Sequence, residues 1–169
     1  LDWGVFHVEQ KFLGAWRRTQ KALKHRNTLL RSGRIDAKEL AAWEYELVQY
    51  AEEVDRLRST YLTAFEQDFT ALIASFGDIP EVSLHYQRGW DKTRSLADVL
   101  LDSLDRDKKR GFTQSGPQRA DVRVKTGKED ASDILSRGQQ KIVVSALKLA
   151  QGKHLIKTKE QKRVIYLLD

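Results

Sequence analysis

The sequence predicts a mixed α and β protein that is rich in helix, with a long antiparallel helical hairpin in its first half. Charged residues make up 32% of the 169 residues and there are only two prolines, a composition typical of long solvated helices rather than of a β-sandwich. Between positions 40 and 64 the apolar residues recur in alternating steps of three and four, the spacing of a coiled-coil seam. After position 80 the apolar period changes to two, which indicates a strand.

The first predicted helix spans residues 9–31. Its apolar positions recur at about 100° per residue, so they lie on one side of the helix. Ser32 and Gly33 follow, and glycine supplies the left-handed conformation that often ends a helix. The predicted buried stripe consists of Phe12, Trp16, Thr19, Leu23 and Leu30.

The second predicted helix begins at Asp36, which forms a capping-box-like pair with Glu39. Its apolar pattern continues, with a shift, to Phe76, and Gly77 and Pro80 then interrupt it. Because only a short loop separates the two helices, we expect them to pack as an antiparallel hairpin. The predicted seam consists of Leu40, Trp43, Leu47, Tyr50, Val54, Leu57, Tyr61 and Ala64.

Beyond the hairpin, short strands alternate with helices. Glycine follows several of these segments, and Ser95 with Asp98 marks a helix start. The last apolar run has the composition of a strand buried on both faces, as in a parallel sheet. In chain order the predicted elements are a strand over 82–86, a helix from Ser95 to Arg110, a strand through Val122 and Val124 up to Gly127, a helix from about Gly138 to Gly152, and a strand over 164–168.

The change of pattern predicts one boundary, between a helical arm domain with a short strand at 1–111 and a second domain at 112–169.

The chain has no cysteine, which excludes disulfides, cysteine-ligated zinc and thiol catalysis. It has no run of about 18 or more apolar residues, so no membrane span is predicted. The net charge of +6 suits a polyanionic partner, and suits a modestly basic soluble protein equally well.

Both ends of the chain are unusual for a complete protein. The sequence has no methionine, even at Leu1, and it stops within the apolar run 164–169. Ordinary termini are polar and exposed. We therefore expect an internal fragment of a longer protein.

The most informative segment is 135–141, Leu-Ser-Arg-Gly-Gln-Gln-Lys. Ser136 and Gly138 open an apolar-faced helix, and the free amides at a helix start can bind an anion. Gly138 allows a phosphate to approach the backbone closely, and the hydroxyl of Ser136 adds a donor. Taken alone, such a segment is more often an ordinary helix cap.

A second feature follows about 20 residues later, where the apolar run ends in Asp169. A carboxylate at the carboxyl end of a parallel strand lies where open α/β sheets bind ligands, and it suits hydrated Mg²⁺. An aspartate that merely ends a strand is also common. The presence of both features in this order favours a ligand site over two unrelated structural features.

The Leu-Ser-x-Gly-Gln segment resembles the signature motif of ABC-type ATPases, and 164–169 resembles their Walker B strand. The opening segment 1–9, together with Gly-Pro-Gln-Arg-Ala-Asp at 116–121, resembles more narrowly the RecF family of bacterial recombination and repair proteins. The commoner family form of the latter motif is Gly-Pro-His-Arg-Asp-Asp, so a histidine role cannot be carried over, although Arg119 and Asp121 can. The resemblance implies a helical hairpin joined to the C-terminal part of a truncated ABC-type α/β ATPase head.

The resemblance also implies a mechanism. Ser136, Gly138 and Gln139 would contact ATP held by the other subunit of an ATP-driven homodimer, and Asp169 would orient Mg²⁺ through water. The family is a weak DNA-dependent ATPase, but its phosphate-binding loop would lie upstream of Leu1 and its catalytic acid directly after Asp169. We therefore expect no catalytic residue in this piece and no ATPase activity from it alone.

The resemblance implies that single-stranded and gapped duplex DNA and RecR are partners, and that the protein helps to load RecA at gaps. It also implies a cytoplasmic protein that is associated with the nucleoid. On the first helix, Arg17, Arg18, Lys21 and Lys24 form a basic face that could bind DNA phosphates, although such a face is more often simply solvated. Two alternatives stay open: the head and coiled-coil root of another SMC-like ATPase, and a non-enzymatic helical scaffold.

Overall fold

The computed structural model describes residues 1–33, 35–159 and 163–166. Most of these residues are helical, and the strands are short. The helices are α1 (Asp2–Val8), α2 (Phe12–Ser32), α3 (Ala37–Ile73), α4 (Leu96–Arg110), α5 (Ala131–Ile134) and α6 (Arg137–Thr158), and the strands are β1 (Ser83–Gln87), β2 (Asp121–Thr126) and β3 (Glu129–Asp130). Single turns of 3₁₀ helix occur at Ala74–Phe76 and Pro117–Arg119.

Helices α2 and α3 form the predicted antiparallel hairpin. Arg18 contacts Tyr50 and Arg26 contacts Glu44, so positions later in α2 meet positions earlier in α3. Asp36 accepts hydrogen bonds from the amides of Lys38 and Glu39 at 2.7 and 3.2 Å, which confirms it as the start signal. The seam of α3 is buried at most predicted positions, whereas Ala64 and Phe76 are exposed.

The predicted stripe of α2 is wrong at Trp16, which is 36% exposed. The buried line of α2 runs through Ala15, Ala22 and Arg26 as well as Thr19 and the leucines. Small residues at 15 and 22 allow a close approach between helices, and this centres the buried face one position earlier than Trp16. The indole therefore lies at the edge of the buried stripe.

The strands form one sheet in the order β1-β2-β3, with β2 and β3 paired antiparallel. Gly127 has φ 62° in the turn between β2 and β3, a left-handed conformation that glycine adopts without strain. Residues 163–166 carry no strand, contrary to the predicted parallel strand over 164–168, of which 167 and 168 lie outside the described residues. A strand requires a hydrogen-bonded neighbour, and none of the described strands pairs with this segment.

Helix α6 continues past Gly152, where the sequence predicts its end, to Thr158. A Cβ atom at position 152 would lie 1.8 Å from the hydroxyl of Tyr166, and that hydroxyl donates to the carbonyl of Leu149 at 2.9 Å. Glycine is therefore needed at 152 for the close approach of Tyr166 and does not end the helix. Helices α1 and α5 are also additions to the predicted elements.

Contacts divide the chain into two compact units, each built from separate segments. The first unit contains Leu1–Glu9, Arg58–Tyr86 and the residues from Val122 onward, and the second contains Gln10–Leu57 and Gln87–Asp121. Each unit combines segments that are distant in the sequence, and α3 contributes residues to both units. The assignment of 1–111 to an arm and 112–169 to an ATPase head stays a prediction.

The second unit is held by a buried ion network around Arg26, a residue with no solvent exposure. Its guanidinium donates to Glu44 at 2.9 Å, to Asp107 at 2.8 Å and to the hydroxyl of Thr113 at 2.7 Å. Asp107 also accepts from the backbone amide of Gln114 at 3.1 Å. Buried charges need such partners, because an unpaired one is strongly destabilising.

The first unit contains a buried histidine–aspartate pair. Nδ1 of His154 on α6 lies 2.7 Å from Oδ2 of Asp68 on α3, and Nζ of Lys157 lies 3.6 Å from the other carboxylate oxygen. The ring of Tyr61 packs edge-on against His154 at 5.2 Å. Burial, together with the charge of Asp68, raises the pKa of Tyr61 to about 12.

Candidate functional site

Ser136 caps the start of helix α6. Its Oγ accepts a hydrogen bond from the amide of Gln139 at 3.3 Å, and the amide of Ser136 donates to Oε1 of Gln139 at 3.0 Å. These reciprocal bonds form a complete capping box. The local structure is therefore the ordinary cap that the sequence allowed, and any anion site must be formed by the groups the cap leaves free.

The turn that precedes Ser136 is fixed by burial and by hydrogen bonds. Leu135 is buried, and its amide donates to the carbonyl of Ala131 at 2.9 Å. The side-chain amide of Gln140 donates to the carbonyls of Ser132 and Leu135 at 3.0 and 2.9 Å. Ser136 is consequently presented at a defined position.

Three donors remain at this helix start. The amides of Arg137 and Gly138 are in the first turn, where the helix itself offers no acceptor. The hydroxyl of Ser136 accepts from Gln139, and its own proton has no partner among the described residues. Ser136, Arg137 and Gly138 are all exposed. The first turn has no acidic residue, so the positive end of the helix dipole is not neutralised.

Gly138 is not required by the packing of the chain. A Cβ atom there would meet only Oγ of Ser136, at 3.9 Å, and its φ is not in the left-handed region. This contrasts with Gly89, where a Cβ atom would lie 2.1 Å from the carbonyl oxygen of Gly116. The open space above Gly138 therefore allows an external group to approach the backbone.

Both the oxygen and the nitrogen of the Gln139 side-chain amide form a hydrogen bond within the chain. Besides its role in the cap, its Nε2 donates to the backbone carbonyl of Asp78 at 3.0 Å. Of the three residues predicted to contact nucleotide, Ser136 and Gly138 present free groups to solvent. Gln139 is half-buried.

The basic face of α2 is exposed at all four predicted positions, Arg17, Arg18, Lys21 and Lys24. The guanidinium of Arg18 donates to the hydroxyl of Tyr50 at 2.6 Å, and Nζ of Lys21 lies 5.6 Å from the ring of Trp43. Trp43 also stacks on His25 at 4.0 Å, so it is occupied by packing, as the sequence predicts. Aromatic rings of α3 thus hold two of the four cations in place.

The predicted Mg²⁺ residue, Asp169, lies outside the described residues. Within residues 1–33, 35–159 and 163–166, no three histidine, aspartate or glutamate side chains are grouped as metal ligands. In the same part of the chain, no helix is both long enough and apolar enough to cross a membrane.

The chain closely resembles curated bacterial proteins. It is 50% identical over all 169 residues to the DNA replication and repair protein RecF of Stutzerimonas stutzeri, of which it covers 45%. It is 52% identical over the same length to RecF of Chromohalobacter salexigens, of which it covers 46%. The chain is homologous to RecF over its whole length. It spans about half the length of these relatives.

Solved structures give the same result for the fold. The structure of the recombination mediator protein RecF-ATP in the RecFOR pathway superimposes with a TM-score of 0.87 at 20% identity, over 96% of this chain and 47% of that one. The RecF-ATPrS structure gives a TM-score of 0.83 at 21% identity, over 92% and 45%. No family model matches the chain. The RecF resemblance and the helix-rich fold class are thereby confirmed, while the roles of the site residues stay predictions.

Sequence reasoning missed the bond between Gln139 and Asp78. The pair is separated by 61 residues, and no local pattern connects them. Gly77 and Pro80 indicate a turn here, but they do not identify the residue that bonds to it. Arg26 was also missed, although its position four residues before Leu30 and three after Leu23 places it on the buried stripe.

Proposed function

We propose that this chain is the part of a RecF-type DNA repair protein that binds a nucleotide held by a second subunit. One observation carries the proposal: α6 begins with free donors at Ser136, Arg137 and Gly138, in an exposed first turn without acidic residues. Backbone amides and a hydroxyl at the positive end of a helix suit a terminal phosphate. Homology to RecF supports ATP as the nucleotide, because a solved relative is RecF-ATP.

In this proposal ATP supplies the negative charge that joins two subunits. The hydroxyl of Ser136 and the amide of Gly138 donate to the γ-phosphate, and the capping box keeps both groups in place before the partner arrives. Asp169 orients Mg²⁺ through water. The residues proposed here contact the nucleotide that the second subunit holds.

The test is Ser136→Arg in the full protein. The long side chain at an exposed cap fills the space that the phosphate needs, so ATP-dependent dimerisation should be abolished while the monomer stays folded. Light scattering with and without ATP measures the dimer, and circular dichroism measures folding. Ser95→Arg at the start of α4 is the matched control, because it removes an equivalent cap elsewhere. Dimers of Ser136→Arg that still form with ATP contradict the proposal.

We further propose that the basic face of α2 binds DNA phosphates at single-strand gaps, where the protein cooperates with RecR in loading RecA. The observation that favours it is the exposure of Arg17, Arg18, Lys21 and Lys24 along one helix. Tyr50 and Trp43 restrict the side chains of Arg18 and Lys21, which lowers the entropy lost when they bind phosphates. Such contacts provide affinity without sequence preference.

Replacing Arg17, Lys21 and Lys24 together with alanine should weaken DNA binding and lower the slope of log affinity against log salt by about 2 to 3. Fluorescence anisotropy on a gapped duplex at several salt concentrations measures both quantities. The matched control is Lys108, Lys109 and Arg110 to alanine, which removes three exposed cations from the last turn of α4. Equal losses of DNA affinity in the two variants would show that only net charge matters. The basic face of α2 would then not be a DNA-binding site.

A further inference from the structure

The side chain of Gln139 connects the start of α6 to a turn that lies much earlier in the sequence. Oε1 accepts from the amide of Ser136 and Nε2 donates to the carbonyl of Asp78, both at 3.0 Å. A capping box requires only the first of these bonds, and glutamate would serve it equally well. The second bond therefore needs a separate explanation.

The turn that receives this bond comes directly after the long helix of the hairpin. Helix α3 ends at Ile73, one turn of 3₁₀ helix follows at Ala74–Phe76, and Gly77 then has φ 59°. Asp78 has φ 38° and is the only non-glycine residue with a positive φ in the part of the chain that the structure describes. L-residues with side chains, including aspartate, adopt this conformation less readily than glycine does, so a contact from outside the turn helps to hold it.

Gln139 supplies such a contact. Its amide donates to the carbonyl of the strained residue itself, and the same side chain binds the main chain of Ser136 through its oxygen. Neither bond can move far without the other, because the planar amide group fixes the distance between Oε1 and Nε2. The turn is otherwise exposed at Gly77 and Asp78, so few other groups hold it.

We infer that Gln139 is a positioning residue that couples the nucleotide-binding Ser136 to the turn at the end of α3. The inference rests on the proposed function, since it requires Ser136 to meet nucleotide. A phosphate that draws Ser136 into one position fixes Gln139 and thereby the Asp78 turn. Coupling between sites is reciprocal, so a change in the turn alters the affinity of the Ser136 site by the same factor.

The experiment uses the full protein with two readouts. Hydrogen exchange of residues 74–82, measured with and without ATP, reports the turn, and light scattering reports the ATP-dependent dimer. In the wild type we expect ATP to slow exchange in the turn about 10-fold. Gln139→Met keeps the length of the side chain and removes both bonds, so exchange in the turn should no longer respond to ATP. Dimerisation should weaken about 10-fold, the equivalent of ~1.4 kcal/mol.

Gln140→Met is the matched control. It removes two hydrogen bonds from the neighbouring position of the same helix start, those to Ser132 and Leu135. A purely structural role for this helix start predicts similar losses in both variants. The coupling predicts that the turn of Gln140→Met still responds to ATP.

A change on the other side of the bond keeps the inference testable even if Gln139→Met folds poorly. Asp78→Pro fixes φ near about −65° and so displaces the carbonyl that accepts from Gln139. It should weaken dimerisation as much as Gln139→Met does. The double variant should dimerise as well as either single variant, because both changes remove the same interaction. Additive losses, or a Gln139→Met turn that still responds to ATP, overturn the inference. Failure of the proposed function is recognised separately, by dimers of Ser136→Arg.

Discussion

Helices α4 and α6 begin with the same local arrangement. Each is preceded by a serine whose Oγ accepts from the third amide of the helix, at 3.1 Å from Asp98 to Ser95 and at 3.3 Å from Gln139 to Ser136. In each the third side chain also accepts a hydrogen bond from the serine, from its hydroxyl in α4 and from its backbone amide in α6. The cap alone therefore does not distinguish a closed helix start from one that can bind an anion.

The two starts differ in charge and access. In α4 the carboxylate of Asp98 accepts the hydroxyl proton of Ser95 at 2.6 Å, and the first helical residue, Leu96, is fully buried. In α6 the third residue is neutral and the first two are exposed. The positive end of the dipole is thus neutralised in α4 and available in α6. The composition of the first turn, and not the cap, indicates which helix start can bind a phosphate.

The largest expected effect comes from placing a negative charge in the first turn of α6, where α4 has Asp98. Gly138→Asp places a carboxylate in the first turn, in open space, where it stabilises the helix but repels a phosphate. ATP-dependent dimerisation should weaken at least about 100-fold, the equivalent of ~2.7 kcal/mol. Sedimentation at increasing ATP concentration measures the loss, and thermal unfolding verifies that the monomer is no less stable.

Two further variants sharpen this test. Gly138→Ala adds only a methyl group, so it should stabilise the helix by up to about 1 kcal/mol and weaken dimerisation less than aspartate does. Asp98→Gln gives α4 the neutral third residue of α6. It should lower stability by about 0.5–1 kcal/mol and leave the ATP response unchanged. An ATP response that survives in Gly138→Asp means that no phosphate approaches this helix start.

Both helix starts were predictable from sequence because a cap is a local feature. Ser95 with Asp98 and Ser136 with Gly138 lie within one turn of the residues they cap, so the amino-acid types alone indicate the hydrogen bonds. The end of α4 at Gly111, with φ 72°, follows for the same reason. Local signals thus predicted the bounds of most long elements and the position of the candidate site.

Features that depend on distant residues were not predictable in this way. Glycine often ends a helix, which is why the sequence predicts an end at Gly152. In the structure Gly152 leaves space for the side chain of Tyr166, which comes close only when the chain folds. Arg26 lies on an apolar stripe because Glu44, Asp107 and Thr113 neutralise and bind it. In both cases a tertiary contact overrides what the residue type favours locally.

The smallest expected effects compare the two serines directly. Ser95→Ala and Ser136→Ala each remove one cap acceptor, so each should lower the free energy of unfolding by about 1 kcal/mol. Only Ser136→Ala also removes a donor to the phosphate. It should weaken ATP-dependent dimerisation by about 5- to 10-fold, consistent with one hydrogen bond to a charged group, whereas Ser95→Ala should leave dimerisation unchanged.

Urea unfolding and light scattering on the same samples separate the two effects. Because each variant removes the hydroxyl that accepts from the third amide of its helix, the stability measured for each variant is the internal control for the comparison of dimers. If the two variants dimerise equally well, the hydroxyl of Ser136 does nothing beyond capping its helix, and the amides of Arg137 and Gly138 alone must account for any phosphate binding. If Ser95→Ala weakens the dimer as much as Ser136→Ala, general stability and not the charge of the first turn controls assembly.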